Sequence, residues 1–477
     1  MELVHSMLNF LNTAKKFIRS FYEGGKVTKA NQDFWNATSP FESTAESDRY
    51  IMMGRARWLK ANNPIMANID GAILDNVVGR GIGFQNKTSN KRLNKITELK
   101  FEKWASTPSR CSHSNHVNFY DMTRLILEGR MVDGEIFIYK HHTPDGLKIQ
   151  LLEADSLFDD LYGGIVYNDD GSPKEYRFKK LNKDGLSYST SDYIAVKSDR
   201  IIHYYRAERA TQRRGVSEYK RSILSIKNFS AYQDATIKSA RARANIAYSV
   251  EIDGNTKRFG GDVDEDGKKL QSVNGIMVYY LNKGEKINQH APDAGSADYK
   301  TFTETVVRMI ATGRRVSYEL AFKDYQHVNF ASSRASLIQD NYHFDEEFSH
   351  LSRYVVLPLI REWFELEIAL GRINVNFAMY KKNEEKYFAP RLIPPQRAWV
   401  DPLKDILSIE KEISLNLTTQ TDVAMARGKD FDEIVQKKAE EKKKLEDLGL
   451  WVENKDAESP TEKMAKARIY KEIFDED

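Results

Sequence analysis

The residues of this sequence that are best suited to ligate a metal are its cysteine and the histidines that follow it. Cys111, His113 and His116 lie close together, and His141-His142 come further along the chain. Zinc sites normally take four ligands at a recognisable spacing, so one thiolate with scattered imidazoles favours a surface loop over a metal site. Because Cys111 is the only cysteine, no intramolecular disulfide can form, which fits a reducing cytoplasm or an assembly that needs no disulfides.

A second candidate is an acidic segment that imitates the start of a calcium-binding loop. Asp262, Asp264, Asp266 and Gly267 match the first positions of an EF-hand. The twelfth position of such a loop needs a bidentate glutamate, and Val273 occupies it here. An acidic turn is therefore the better interpretation.

Signatures of nucleotide binding and of nuclease chemistry do not match either. The glycine-rich run 79–83 follows a helical pattern and has the wrong spacing for a dinucleotide fold, and no GxxxxGK[ST] loop occurs. The acidic pairs Asp159-Asp160 and Asp169-Asp170 lie in turn-like sequence and are interpreted as solvated charges. We therefore assign no catalytic residue, no metal and no cofactor, with a metal-dependent nuclease kept as the alternative.

Charge points to a different activity, because basic residues cluster in one segment of an almost neutral chain. The 72 basic and 69 acidic residues leave a net charge of +3, so DNA contact would have to depend on local charge. Nine basic residues lie between 209 and 243, and a helical pattern brings four of them close to one face: Lys220, Lys227, Lys238 and Arg241. The alternative is a solvated face that forms salt bridges between subunits.

The elements that would position these groups are mostly helical. We predict helices over 47–76 with a break at Pro64, over 121–128, and over about thirty residues from an N-cap at Ser217. Strands are predicted at 135–140, 147–152, 201–205 and 276–281, with a hairpin over 163–178. A helix is predicted over 296–312, with Phe302, Val306 and Met309 on one face.

The second half of the chain is predicted to be helical as well. A helix over 333–370 should kink at Pro358, and three helices should follow at 402–415, 419–427 and 430–448.

The segment between the predicted helices, residues 321–333, is polar and aperiodic and contains three aromatic side chains. A connection inside a core would be shorter and less polar, so a projecting loop is expected, with a buried Ω-loop as the alternative. Its candidate functional residues are Lys323, Tyr325, Gln326, His327, Asn329 and Phe330.

The same region contains, in order, the stretches Arg308-Met-Ile-Ala311, Val316-Ser-Tyr-Glu319, Asp324-Tyr, Asn329-Phe and Ser332-Ser-Arg-Ala335. They resemble the portal proteins of lambda-like phages, whose pattern is R-x-I-A, G-V-S-Y-E and D-x-S-x-x-N-Y-S-S-x-R. Gln326 and Phe330 depart from it. Arg314-Arg315 stands where the family more often has Leu-Gly.

Four further sequence blocks are similar to the family pattern and occur in the same order as in the family. The resemblance therefore covers roughly residues 20–450. They are Arg55 to Gly83, Asp133-Gly-Glu135 with Leu152 to Ser156, Ile202-His203 with Arg214-Gly-Val216, and Trp399-Val-Asp-Pro402 with Leu417-Thr-Thr419 and Gly428-Lys-Asp430. Each block alone is moderately specific, but five blocks in the right order are strong evidence.

The resemblance implies an α+β portal fold with an α/β wing, long stem helices, a small α/β clip, a tunnel loop and an α-helical crown. Its expected parts are an N-terminal arm (1–50), the first part of the wing (51–215), a stem helix (216–250), the clip (251–295), a second stem helix (296–313), the tunnel loop region (314–332), the long kinked helix and return of the wing (333–395), the crown (396–450) and a mobile tail (451–477).

The function that the resemblance implies is that of a head–tail connector. Copies of the chain would form a homo-oligomeric ring, a dodecamer, at one capsid vertex of the virion, after assembly in the host cytoplasm. Double-stranded DNA would pass through the channel. The terminase large subunit, a head-completion or adaptor protein, and the major capsid and scaffold proteins would be partners. Another connector or baseplate component is a further alternative.

No membrane association is expected from the sequence. No apolar run approaches the ~18 residues that a membrane-spanning helix needs. The first sixteen residues are mildly amphipathic and lack the charged start and the cleavage site of a signal peptide.

Overall fold

The computed structural model describes residues 39–158, 163–251, 270–273, 276–281, 296–325, 330–396, 402–427 and 429–450. Helices dominate, and the strands form four small sheets. The predicted α+β class is therefore confirmed.

The first part of the chain is a helical layer around the main apolar core. Its helices are α1 (Phe41–Asn62), α2 (Pro64–Val77), α3 (Lys91–Ala105), the single turn α4 (Pro108–Cys111) and α5 (Phe119–Asp133). Pro64 begins α2 as predicted, because the Asn63 side chain accepts hydrogen bonds from the backbone N–H groups of Ile65 and Met66. The predicted stripe of α2 is confirmed, since Ile65, Ile69, Ile73 and Val77 are all buried.

Two three-stranded sheets follow, and strand β1 (Gly83–Asn86) pairs separately with a late strand, β11 (Pro390–Ile393). The strands of the two sheets are β2 (Glu135–Thr143), β3 (Gly146–Glu153), β4 (Ile165–Tyr167), β5 (Pro173–Leu181), β6 (Tyr188–Lys197) and β7 (Ile201–Tyr205). One sheet has the order β3-β2-β7 and the other β4-β5-β6, and all their pairs are antiparallel. The predicted hairpin over 163–178 is the β4–β5 pair. A second apolar core around Phe137 and Phe178 lies under these strands.

The long helix that follows is shorter than predicted. A 3₁₀ turn, Glu218–Arg221, comes first, and the α-helix α6 then runs from Ile223 to Asn245. Ser217 does cap an element as predicted, but it caps this turn, whose Tyr219 side chain is fully buried. The backbone then enters strand β8 (Ile246–Glu251), so the predicted extension of the helix toward residue 250 was wrong.

A small sheet separates α6 from the next helix in the sequence. It contains β8, β9 (Leu270–Val273) and β10 (Ile276–Leu281) in the order β8-β10-β9, so the predicted strand at 276–281 is confirmed. The acidic segment around Asp264 lies outside the described residues.

Helix α7 (Ser296–Gly313) ends at Gly313 as predicted and packs against α6, where the Tyr232 ring lies 4.4 Å from that of Phe302. The buried side chains of α7 are Thr303, Val307, Ile310 and Ala311. Phe302, Val306 and Met309 lie on one face of α7 as predicted, but this is not its most buried face, since Phe302 and Met309 are 42% and 62% exposed. The face that packs on the body is rotated from it by about one residue.

The second long helix is interrupted where a kink was predicted. Helix α9 (Phe330–Leu351) continues through a π-helical turn, Ser352–Val356, into α10 (Leu357–Ala369). Pro358 has no N–H for the carbonyl of the preceding turn, and a π turn is one way in which a helix accommodates such a residue.

The C-terminal part is made of short helices and one paired strand. Its helices are α11 (Phe377–Lys382), α12 (Glu384–Tyr387), α13 (Pro402–Ser414), α14 (Gln420–Ala426) and α15 (Phe431–Asp447). Earlier in the chain, the short helix α8 (Tyr318–Phe322) lies between α7 and α9. Among the described residues, no helix is both long and apolar enough to cross a membrane.

Candidate functional site

The basic residues predicted on the first long helix occupy two different settings. Lys227, Lys238 and Arg241 are exposed on α6 and form no ion pair with another residue that the structure describes. At about 100° per residue they fall within roughly 60° of one another around the helix. From Lys227 to Arg241 the face extends about 21 Å along the axis. Asp234 lies on the same face, so this face carries one negative charge beside its three positive charges.

Lys220 does not share that face. It belongs to the 3₁₀ turn before α6, and its ammonium group lies 2.6 Å from the Glu208 carboxylate. Arg221 reaches the same carboxylate at 3.1 Å. The structure therefore separates Lys220 from the three residues with which the sequence analysis grouped it.

The predicted apolar residues of this segment are all buried: Tyr219 in the 3₁₀ turn, and Ile223, Ile226 and Phe229 in α6. The three in α6 fix which face of that helix is turned away from the body. The exposed basic face is thus the consequence of how the opposite face packs.

Of the predicted loop residues, the structure describes the side chains of Lys323 and Tyr325. Lys323 ends α8 in the left-handed backbone region at φ 56°, and Tyr325 is 61% exposed. Gln326, His327 and Asn329 lie outside the described residues. Phe330 begins α9, but its side chain also lies outside them.

The turn that leads into this loop is firmly anchored. The Ser317 side chain caps α8 and donates to Asp340 of α9 at 2.6 Å. The Asn68 side chain donates to the carbonyl oxygens of Leu320 and Ala321 at 2.8 and 3.0 Å. Helix α8 is therefore held between α2 and α9, and the loop leaves the body from a fixed point.

Three residues of the portal-like stretch 308–325 contact one another. The Arg308 guanidinium lies 4.8 Å from the centre of the Tyr318 ring, and the Tyr318 hydroxyl donates to Asp324 at 3.2 Å. These contacts tie the last turns of α7 to the residues just before the loop. The resemblance in this stretch therefore corresponds to one local structure.

A buried charged cluster, which no local sequence pattern predicted, joins the long helices to the body. Arg314, just after α7, is fully buried and donates to Asp70 of α2 at 2.8 Å and to Glu218 at 3.0 Å. Tyr219 also donates to Asp70. Burial raises the pKa of Asp70 and the Arg314 charge opposes that rise. For Glu218, burial raises the pKa, but Arg130 and Arg314 outweigh it and lower the pKa to about 2.

The cluster continues toward α9. Arg130 of α5 is fully buried between Glu218, at 2.7 Å, and Glu347, at 2.5 Å. Arg206 pairs with both Glu346 and Glu347, and Arg315 reaches Glu346 at 2.6 Å. The only sequence signal for this cluster was the unusual Arg314-Arg315 pair.

A second buried cluster joins sequence blocks that lie far apart in the chain. The Glu135 carboxylate accepts hydrogen bonds from the Arg214 side chain at 2.5 Å and from the Gly215 N–H at 2.8 Å, and it contacts His203 at 2.8 Å. Burial opposes ionisation, but Arg214 and His203 together lower the pKa of Glu135. The residues of three predicted motifs thus meet at one carboxylate.

Arg57 makes the corresponding link from α1. Its guanidinium donates to Asp133 at 2.7 Å, to Asp155 at 3.0 Å and to Glu153 at 3.2 Å. Hydrogen bonding to Asp133 raises the pKa of Arg57, so this guanidinium stays charged. The sequence block that contains Arg57 is therefore in direct contact with the block that contains Asp133 and Asp155.

The candidate metal ligands that the structure describes do not assemble into a site. Cys111 is buried, its thiol contacts backbone carbonyl oxygens such as that of Thr107 at 3.4 Å, and burial raises its pKa to about 11. The His113 ring stacks on that of His141 at 4.2 Å, which is a ring contact and not a chelate. Within the part of the chain that the structure describes, no group of three or more His, Cys, Asp or Glu could hold a metal ion.

Comparison with known proteins identifies one family. Residues 29–347 match the family model described as phage portal protein, lambda family. A probable portal protein of Halomonas phage phiHAP-1 is 21% identical over 433 residues, which is 84% of this chain and 82% of that protein. The portal protein of Escherichia phage N15 is 22% identical over 314 residues, covering 60% of this chain and 59% of that one. Portal protein B of Escherichia phage lambda is 21% identical over 273 residues, which is 52% of this chain and 51% of that protein.

Two matches among solved structures are chains of gene transfer agent particles, both with TM-scores below 0.5. A chain in the neck of an empty particle, computed with C6 symmetry, has a TM-score of 0.44 at 12% identity and covers 80% of this chain and 94% of that chain. A chain in the neck of a native particle, computed with C12 symmetry, has a TM-score of 0.41 at 12% identity, with coverage of 80% and 93%.

Proposed function

Since the chain belongs to the lambda family of phage portal proteins, we propose that its copies form a homo-oligomeric ring, a dodecamer, at one capsid vertex. The ring is the conduit through which double-stranded DNA is packaged and later ejected. The observation that carries this proposal is the family match over residues 29–347. That range includes both buried charged clusters, as well as α6, α7 and α8.

The geometry of α6 and α7 supports a stem for this ring. The two helices are in contact through Tyr232, Tyr299 and Phe302. Their ends at Glu218 and Arg314 are fixed to the body by the same buried cluster, with 3.0 Å between these two side chains. A helix pair that is anchored at this end is suited to project from the wing.

We assign DNA contact in the stem to Lys227, Lys238 and Arg241. Repeated around a ring, this exposed face would place cations along the phosphate backbone without reading any base. Lys220 is less suited to this role, because its ammonium group already pairs with Glu208 and it lies outside α6.

We assign the tunnel loop to the segment that contains Lys323, Tyr325, Gln326, His327, Asn329 and Phe330. The support is the fixed exit at α8 together with the exposure of Tyr325. Deleting residues 325–330 tests the assignment. We expect assembled heads that lose packaged DNA or fail to fill, and unaffected packaging and retention would show that the assignment is wrong.

The partners in this scheme are the terminase large subunit, a head-completion or adaptor protein, and the major capsid and scaffold proteins. Assembly takes place in the host cytoplasm, and the finished ring is part of the virion. Terminase binding separates a portal from another connector or a baseplate component. The portal itself has no catalytic role, and magnesium-dependent nicking of DNA that is lost on substitution of particular aspartates would favour the nuclease alternative.

Electron microscopy of the purified full-length chain tests the ring itself. We expect class averages of particles with a central hole and rotational symmetry. Particles without a hole under all assembly conditions would contradict the proposal.

A further inference from the structure

The three C-terminal helices, α13 to α15, have almost no apolar core within the described part of one chain. Among the described side chains of residues 402–450, only that of Ala424 is buried. Large apolar side chains are instead 38% to 74% exposed: Leu403, Ile406, Leu415, Leu417, Val435, Leu445, Leu448 and Leu450. Short helices are marginal in water, and most helix stability in proteins comes from packing an apolar face. The described residues of one copy therefore leave these apolar side chains open to a further partner.

Polar contacts hold the three helices on the body. Asp405 of α13 pairs with Arg334 at 3.1 Å, Asp422 of α14 pairs with Arg391 at 3.2 Å, and Asp430, the N-cap of α15, pairs with Lys87 at 2.8 Å. Such ion pairs near the surface contribute little stability, although they do fix position. These ion pairs therefore fix the orientation of the three helices but add little to their stability.

Helix α13 carries a wide apolar stripe. At about 100° per residue, its five members cover roughly 160° of the helix: Leu403, Ile406, Leu407, Ile409 and Ile413. Leu403 and Ile406 are 53% and 42% exposed, and the other three are half-buried. Leu403 and Ile406 lie at the centre of the stripe, so its most exposed part is an apolar surface open to a further helix.

The charges of these helices argue against a nucleic acid as the partner. In α15, Lys437 pairs with Glu433 at 2.7 Å and Lys442 lies 3.7 Å from Glu446, so cations and anions alternate along the surface. Binding to a polyanion requires clustered, uncompensated cations. A mixed and nearly balanced surface around apolar side chains instead suits another copy of the same segment.

We propose that α13 to α15 fold against the same helices of the adjacent copy, so that their folding is coupled to closure of the ring. This inference rests on the ring proposed above. In a closed ring each copy meets one neighbour on each side through heterologous contacts, so an adjacent copy is available to cover the exposed part of the stripe.

Hydrogen exchange on the full-length chain tests the coupling, with monomer and ring fractions compared from one preparation. We expect amides of residues 402–447 to exchange at least about tenfold more slowly in the ring, since local opening then requires loss of the subunit contact. Amides of α5, which lies in the main core, should be equally protected in both fractions. Equal protection of α13 to α15 in monomer and ring would overturn the inference while leaving the ring intact.

A matched pair of variants tests the stripe. Ile406→Asp places a charge on it, and Ser408→Asp places the same charge on the exposed opposite side of α13. Ile406→Asp should leave the chain monomeric or give rings with unprotected C-terminal helices, and Ser408→Asp should behave as the unmodified chain. Protected rings from Ile406→Asp would overturn the inference.

A chain shortened after Leu450 tests whether residues 451–477 of the same copy cover the stripe instead. We expect its rings to keep the protection of α13 to α15. Loss of protection would assign the stripe to those residues and overturn the inference. If the unmodified chain forms no ring at all, the proposed function fails, and the inference fails with it.

Discussion

Gly134 and Gly215 lie against one another at the point where the sheet β3-β2-β7 meets the base of α6. A Cβ atom on Gly215 would lie 2.5 Å from the carbonyl carbon of Gly134, and Gly134 itself has a φ of 97°. Next to this contact, the Glu135 carboxylate accepts from the Gly215 N–H at 2.8 Å. Two motifs about eighty residues apart are thus joined by close backbone contact.

We expect Gly215→Ala to destabilise the chain by about 2–4 kcal/mol, because the backbone of Gly134 cannot move away without breaking the Glu135 contacts. Chemical denaturation monitored by circular dichroism measures the change. Gly54→Ala is the control. Gly54 lies in the middle of α1, and a Cβ atom added there would have no neighbouring atom within 4 Å, so alanine should stabilise by up to ~1 kcal/mol. Equal effects at the two positions would contradict the packing described.

Arg314 and Arg315 are neighbours in the chain, but their substitution should change the free energy of unfolding by very different amounts. Arg314→Leu leaves Asp70 and Glu218 without their buried partner, so we expect a loss of roughly 3–5 kcal/mol. Arg315 has a φ of 58°, and its ion pair with Glu346 is exposed, so Arg315→Gly should be neutral or slightly stabilising. Unfolding free energies of the two variants measure the contrast. A larger loss for Arg315→Gly than for Arg314→Leu would contradict it.

Glu218 should make stability depend on pH. Its pKa falls from 4.5 to about 2 in the folded chain, so its contribution is complete above the unfolded pKa and is lost as pH falls toward 2. Glu218→Gln should therefore destabilise strongly at pH 7 and less at pH 3.5. Thermal unfolding of both chains at the two pH values gives the comparison. An equal loss at both would show that the Glu218 charge does not stabilise the fold.

Removing the cations on α6 should weaken DNA binding without unfolding the chain. We expect the combined change of Lys227, Lys238 and Arg241 to glutamine to lower affinity for duplex DNA and to reduce its salt dependence, by ~0.9 in slope for each lost phosphate contact. Fluorescence anisotropy at several salt concentrations measures both quantities. Lys220→Gln is the matched control, since Glu208 pairs with Lys220. A larger effect from the control would place the DNA contact elsewhere.

Local periodicity predicted most elements well. The stripe of α2 and the buried side of the 3₁₀ turn and α6 follow from apolar spacing alone, and the β4–β5 hairpin follows from its turn residues. The start of α6 was misplaced because Ser217 has the right side chain to cap either a 3₁₀ turn or an α-helix. The packing face of α7 was missed because it depends on what lies beside the helix.

The buried clusters could not be predicted from local sequence. Arg130 and Glu347 are 217 residues apart, and Arg314 and Asp70 are 244 apart, so no short window contains both partners. What the sequence did contain was the set of motif blocks. Their physical basis, the contacts of Glu135 and Arg57, became visible only in three dimensions.

The mass of the assembled particle tests the central claim most directly. Native mass spectrometry of the full-length chain, under conditions that promote assembly, should show a closed oligomer of twelve copies of the 55.0 kDa chain. A different single closed stoichiometry would correct the number of subunits but keep the ring. A monodisperse monomer at high concentration under every such condition would contradict the account.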